Sequence, residues 1–201
     1  MRVTYWQQSG LSVDTGSEVL LFDYIGGGFA FGEKPVLAMV SHAHGDHRRI
    51  ELIAQAKGII DCPRPGESFT INGVKVRTFG STDEGVSFLV EAGGRRIFHA
   101  GDLNLWHWNN ENDPEWTKQA TADFEEVMAT LAGERIDIAM FPVDPRMGEG
   151  YDEGACIFNE RMKPGVFIPM HFWDHPEAAE EFAKKYDNVR PLTKSGQYTD
   201  I

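Results

Sequence analysis

Three histidines and an aspartate fall inside six residues, His42-Ala43-His44-Gly45-Asp46-His47. Imidazole nitrogens and a carboxylate oxygen together form a borderline donor set, suited to zinc and also open to manganese or iron. The chain holds seven histidines in 201 residues, so a cluster of three is a concentrated signal. A polar loop in which histidines happen to gather is the plain alternative. Position opposes it: the run follows Val36–Val40, an apolar stretch that reads as a strand, and α/β proteins place ligands beyond the carboxyl ends of strands. In extended chain His42 and His44 point the same way. Asp46 and His47 then open the next segment, where they can face the same cavity.

The elements that must position this run are legible around it. Arg2–Gln7, 19–23 and Val36–Val40 read as strands separated by glycine-rich turns, and 48–57 has helical spacing of Ile50, Ile53 and Ala54. Strand character resumes at Ile59-Ile60. Ser68–Ile71 and Val74–Phe79 flank Asn72-Gly73, a pair suited to a tight turn with positive φ at both central residues. Ser87–Ala92 and Arg95–His99 flank Gly93-Gly94 in the same way. The remainder alternates: a helix over 114–132 with Pro114 in its first turn and Gly133 past its end, a strand over 136–141, a helix over 152–162, a strand over 166–169 and a helix over 176–186. Strands mixed with helices in both halves predict an α/β or α+β sandwich rather than a doubly wound sheet. No repeat or linker divides the chain, so 1–201 reads as a single domain.

The His-x-His-x-Asp-His run at a strand end resembles the signature of the metallo-β-lactamase superfamily. The resemblance implies a four-layer αββα sandwich with one or two metals at the sheet edges. It also implies three later ligands: a histidine after a later strand, an aspartate in a Gly-Asp pair, and a histidine near the end. Asp102, in Ala100-Gly101-Asp102, matches the bridging aspartate, and His171, in Ile168-Pro169-Met170-His171, matches the last histidine. Asp23 matches the buried acid that supports the histidine run from behind, as carboxylates commonly do for ligating imidazoles. Taken alone, Asp102 reads equally as a turn or cap residue and His171 as a hydrogen-bonded core histidine. Three segments resemble the ascorbate-lactonase-like branch in particular: Tyr5-Trp6-Gln7-Gln8-Ser9-Gly10, Phe98-His99-Ala100-Gly101-Asp102 and Ile168-Pro169-Met170-His171. In that branch a Gly-His-Ser stretch is usual in the first of these, and here Gln8 precedes Ser9.

The middle ligand departs from the pattern. Where the family has a histidine, the chain reads Ser81-Thr82-Asp83-Glu84, with Ser81 at the histidine's place. Neutral serine is a poor zinc ligand, so either Asp83 completes the first metal site or that site is weak or empty. Two divalent ions, Asp46, Asp102 and a hydroxide leave a net charge of about +1, and Asp83 brings it to about zero. A more neutral cluster lowers the pKa of bound water less, attracts anions less and favours harder ions such as manganese or iron. The segment 103–116 carries Trp106, His107, Trp108, Asn109, Asn110 and Trp116. It reads either as a lid, with Trp106 walling the substrate and His107 as a proton shuttle or extra ligand, or as an aromatic loop packed on the sandwich.

Bulk composition narrows the function classes. A net charge of −12, with 19 basic against 31 acidic residues, opposes nucleic-acid binding, which needs clustered Lys and Arg. Cys62 and Cys156 show no metal or redox spacing and fit a reduced, cytoplasmic compartment. No run approaches 18 apolar residues, so no membrane span is expected. The expectation is a metal-dependent hydrolase with one or two zinc ions, manganese or iron being the alternatives. A metal-activated hydroxide would attack an ester, lactone, amide or phosphodiester of a small-molecule substrate, with His42, His44, Asp46, His47, Asp83, Asp102 and His171 as ligands and Asp46 orienting the hydroxide. A non-catalytic metal-dependent sensor or scaffold is one alternative, and a di-iron redox protein is another.

Overall fold

The computed structural model describes residues 1–108 and 114–201. Among them are two six-stranded sheets. The first is built from β1 (Arg2–Gln7), β2 (Gly10–Asp14), β3 (Val19–Phe22), β4 (Val36–Val40), β5 (Gly58–Asp61) and β12 (Tyr198–Asp200), in the order β12-β1-β2-β3-β4-β5. The second holds β6 (Ser68–Ile71), β7 (Val74–Phe79), β8 (Ser87–Ala92), β9 (Arg95–His99), β10 (Ile138–Pro142) and β11 (Val166–Met170), in the order β11-β10-β9-β8-β7-β6. The helices are α1 (Ile50–Ile53), α2 (Pro114–Thr130), α3 (Glu153–Met162) and α4 (Pro176–Ala183).

Alternation along the strands builds the layers. Leu20 and Phe22 of β3 point into the space between the sheets, while Leu21 joins Tyr24, Val36, Ala38 and Val40 on the opposite face. In β9, His99 points inward and stacks flat on Phe22, with centroids 4.9 Å apart and rings 4° from parallel. Phe98 points outward and stacks on Phe158 of α3 at 5.2 Å, and Phe158 also meets Phe141 of β10 at 4.5 Å. Phe182 of α4 covers Phe167 of β11 at 5.1 Å. The result is the αββα sandwich, with an uneven pair of outer layers. The second sheet carries true helices. The outer face of the first is covered by α1 and the aromatic residues Tyr24, Phe29 and Phe31.

Two differences from the sequence expectation have simple causes. The helix expected over 48–57 is a single turn, because Arg49 at its N-cap supplies no side-chain cap and Gly58 already begins β5. Strands β2 and β12 were absent from the expectation. β2 is five residues with alternation hidden by burial on both faces, and β12 is a three-residue edge strand held by its pairing with β1.

Parallel pairing is confined to the part of each sheet that matters for chemistry. β3, β4 and β5 are mutually parallel in the first sheet, as are β9, β10 and β11 in the second. Their carboxyl ends therefore open on one edge of the sandwich, where loops rather than hairpins must follow.

Candidate metal centre

Each polar residue of the site lies one to a few positions past the end of a parallel strand. Asp23 follows β3, the run from Ser41 to His47 follows β4, Asp102 follows β9, Asp144 follows β10, and His171 follows β11 directly. Asp23, at a φ of 39°, and His171, at 61°, take left-handed backbone conformations that non-glycine residues adopt rarely. Such strain persists where surrounding contacts impose it, and here both side chains are buried in the cluster.

Asp23 organises the first sheet's contribution. Its fully buried carboxylate accepts the Ser41 N–H at 2.7 Å and the Ser41 hydroxyl at 2.7 Å, and lies 2.8 Å from His47 Nδ1. Ser41 Oγ is also 2.9 Å from His42 Nδ1. One acid thereby orients two imidazoles, aiming their Nε2 atoms at the cleft. Burial pushes the Asp23 carboxyl up, but His47 and His99 outweigh it and hold the group below its ordinary value.

The aimed atoms converge. His47 Nε2 is 3.0 Å from Asp102 Oδ1 and 3.7 Å from Asp46 Oδ2, and His171 Nε2 is 3.6 Å from each of those two oxygens. His42 Nε2 is 3.5 Å from Asp102 Oδ2 and 3.0 Å from His44 Nδ1. His44, Asp83 and Asp102 form a further group whose donor atoms all lie within 4.8 Å of one another. Four ligands around zinc at its usual bond lengths would sit roughly 3.3 Å apart. The observed separations bracket that figure.

Three of these atoms, His47 Nε2, Asp102 Oδ1 and His171 Nε2, are buried and have no hydrogen-bond partner. Buried polar atoms are normally satisfied. Three orphans facing one point, each on a metal-ligating residue type, are what a cation would satisfy, so the residues present fit a metal. The electrostatics agree. Burial pushes the imidazole of His47 down, yet Asp23 and Asp102 hold it up at about 10. For His171 the same opposition, with Asp102, Asp144 and Asp46 winning over burial, gives about 9. The cleft binds positive charge against the cost of burial, and a metal ion is a stronger version of that charge. Asp46, whose carboxylate faces the His171 imidazole at 3.6 Å, is held down at about 2.

Several contributors are not marked by the sequence pattern. Asp144 is fully buried, lies 3.1 Å from His171 Nδ1 and accepts a guanidinium fork from Arg146. The signal that could have found it, an acid just past a strand end, is the one that marks Asp23 and Asp102. Arg146 lies 4.2 Å above the ring of Trp173, and nothing in the sequence points to that pair. Glu84, adjacent to Asp83, is 3.5 Å from His44 Nε2. His99 accepts the Gly101 N–H at Nδ1 (3.1 Å) and reaches the Ser9 carbonyl through Nε2 at 2.9 Å, fixing the turn that presents Asp102.

Above this cluster lies a cleft of about 370 Å³ floored by Asp46, Asp102 and His171, with Asp83 and His44 on one side and Trp106, Trp108, Trp116 and Trp173 as walls. Trp106 is anchored by donating to the Asp102 carbonyl at 2.8 Å and stacks on Trp108 at 5.9 Å. His107 is set apart from this cleft. Its imidazole is buried and its Nε2 lies 3.0 Å from the Gly150 carbonyl, on the far side of the loop. The His107 N–H donates to the Leu105 carbonyl at 2.9 Å, a tight turn centred on Trp106. Asn109 and Asn110 lie outside the described residues.

A fold of two mixed sheets between helical layers, with a histidine- and aspartate-lined cleft at one sheet edge, defines the class. The profile of the beta-lactamase superfamily domain matches residues 2–115, more than half of the sequence, and the chain belongs to the metallo-β-lactamase superfamily. Two curated relatives are named UPF0173 metal-dependent hydrolases. That of Heliobacterium modesticaldum is 27% identical over 97% of this chain and 92% of its own length. That of Symbiobacterium thermophilum is 26% identical over 90% and 88%. Among solved structures, Igni18, a metallo hydrolase from Ignicoccus hospitalis, superposes with a TM-score of 0.69 at 17% identity, covering 100% of this chain and 98% of that one.

Proposed function

We propose that the protein is a metal-dependent hydrolase of a small-molecule substrate, holding one or two divalent ions. Zinc is the metal best matched to the imidazole-rich half, and manganese or iron are the alternatives for the half that includes Asp83. Asp46, His47 and His171 would hold one ion, His42, His44 and Asp83 the other, with Asp102 between them. The observation that carries the proposal is the convergence of three unpartnered buried atoms, His47 Nε2, Asp102 Oδ1 and His171 Nε2, at an open cleft that Asp102 and His171 line. When bound, such ions supply Lewis acidity, activating water near neutral pH and stabilising the charge that develops on the attacked carbonyl or phosphoryl oxygen.

The chain's own residues divide the remaining work. Asp46 stays ionised throughout the neutral range, since its carboxyl sits at about 2. It therefore acts as a hydrogen-bond acceptor that orients the attacking water rather than as a proton carrier. Asp23 and Asp144 hold the imidazoles of His47 and His171 in one tautomer, with the proton on Nδ1 and the lone pair of Nε2 turned to the cleft. Trp106, Trp108, Trp116 and Trp173 exclude bulk water from the reacting bond. We read 1–201 as a single catalytic domain, because both sheets contribute ligands. A cytoplasmic setting accords with the two free cysteines, and among the described residues no helix is long and apolar enough to cross a membrane.

The test is a preparation of known metal content assayed on panels of esters, lactones, amides and phosphodiesters. Turnover that disappears with a chelator and returns with the metal is expected, and an absence of metal-dependent turnover on every panel would refute the proposal. The lactone arm also decides the resemblance to the ascorbate-lactonase-like branch.

A further inference from the structure

We propose that Arg146 and the surrounding indoles form a recognition subsite for an aromatic carboxylate, so that the substrate is a flat aromatic acid derivative. The inference rests on the hydrolase reading for the reaction but on separate residues for recognition. Among the described residues that line the cleft, Arg146 is the sole Lys or Arg. Its inner edge is occupied: Nε and Nη2 donate to Asp144, itself tied to His171. One face lies on Trp173, 4.2 Å from the ring centre. The outer edge, at Nη1, makes no hydrogen bond among the described residues, and the side chain is 41% exposed. A guanidinium clamped on one edge and stacked on one face has lost its rotamer freedom before any ligand arrives, which makes its free edge an efficient partner for a planar anion.

The rest of the wall says what the anion is attached to. Four of the chain's five tryptophans line this cleft, and Trp116, 55% exposed, is among the few large apolar side chains left open to solvent. Trp106 and Trp108 lie 13° from parallel, presenting flat surfaces. At about 370 Å³ the cleft is near the small end of ligand sites and holds one or two fused rings. Shape favours a carboxylate: with ions held by Asp46, Asp83 and Asp102 those acids are offset, and the single free guanidinium edge matches one planar monoanion.

Calorimetric titration of zinc-loaded protein with 2-naphthoate and with neutral 2-naphthamide tests this without requiring turnover. We expect naphthoate to bind at least about ten-fold tighter. In Arg146→Gln the ratio should collapse to about one while naphthamide affinity is kept. Arg146→Lys, which keeps the charge and loses the fork, should give a several-fold smaller ratio than the native protein and serves if the glutamine variant does not fold. Equal binding of both probes by the native protein would overturn the inference. So would a ratio that survives in both variants, because a carboxylate seated on zinc would show that pattern. Selective naphthoate binding without turnover on any panel would sink the hydrolase reading and leave the subsite standing.

Discussion

Asp83 lies two residues beyond Ser81, which stands where the superfamily's pattern has an imidazole, and its donor atom lies within 4.8 Å of those of His44 and Asp102. A carboxylate there trades a neutral ligand for an anion, lowering the net charge of the first site and hardening its donor set. Asp83→Ala should reduce bound metal from two ions to about one per chain, measured by elemental analysis after dialysis. Asp83→His should retain two and bind zinc more tightly, and unchanged stoichiometry in the alanine variant would remove Asp83 from the ligands. Asp144 acts one bond further out. Asp144→Asn leaves the shape intact but weakens the acceptor that fixes His171 Nδ1, 3.1 Å away. Metal affinity should fall about 10- to 100-fold, read by competition with a chromophoric chelator. An affinity equal to that of the native protein would show that His171 is oriented by packing alone.

The loop between β7 and β8 passes directly beneath the histidine run. Gly85, at a φ of +74°, approaches so closely that a Cβ there would lie 2.2 Å from the Ser41 carbonyl oxygen and 2.5 Å from His42 Cβ. The neighbours are backbone and the root of a buried imidazole, so nothing can yield cheaply, and the positive φ adds its own cost for any L side chain. Gly85→Ala should cost about 2 kcal/mol or more and should also displace His42. The check pairs a denaturant melt with metal analysis, and loss of stability with full metal retention would show that the strain is absorbed away from β4. The same reasoning explains why β9 ends as it does: His99, stacked on Phe22, holds Gly101 at a φ of +56°, with a would-be Cβ 2.6 Å from the Val86 carbonyl oxygen.

Across the whole molecule the metal-free state is a collection of buried acids neutralised by protons on His47 and His171. Their imidazoles, normally near 6.5, are held at about 10 and about 9 in the folded chain. A raised folded value means that the stabilisation is fully present below the unfolded value and is lost as pH rises through the folded one. The melting temperature of chelator-treated protein should therefore fall between pH 7 and 10, by roughly several degrees for a chain of this size. The zinc-loaded protein should show no such fall over this window, because the metal replaces those protons. A flat profile for the metal-free protein would mean that the two imidazoles are already neutral. The net charge of −12 bears on this balance as a whole, since a molecule so acidic gains more from two divalent cations than a neutral one would.

Local chemistry is legible in the order of the residues. The strands Arg2–Gln7, Val36–Val40, Ser68–Ile71, Val74–Phe79, Ser87–Ala92 and Arg95–His99 fall where apolar runs and glycine turns place them, because each is bounded by residues that end a strand for steric reasons. The run from His42 to His47 stands out because three of seven histidines gather past one strand end, whereas Asp102 and His171, each ambiguous alone, join it only through the family pattern. Pairing is not legible there. That β3–β5 and β9–β11 are parallel, so that their carboxyl ends share one edge, depends on contacts between residues far apart in the chain. Asp144 and Arg146 become part of the site only through that register, which sets Pro142 beside Met170 and so brings Asp144 to His171. His107 shows the converse. The turn after Leu105 ties it to Gly150 instead of the cleft, a choice made by packing against a loop 43 positions away. Sequence alone determined which side chains could bind a metal, while tertiary structure decided which of them share a cavity, because ligation needs convergence of atoms to a few ångströms and only folding supplies it.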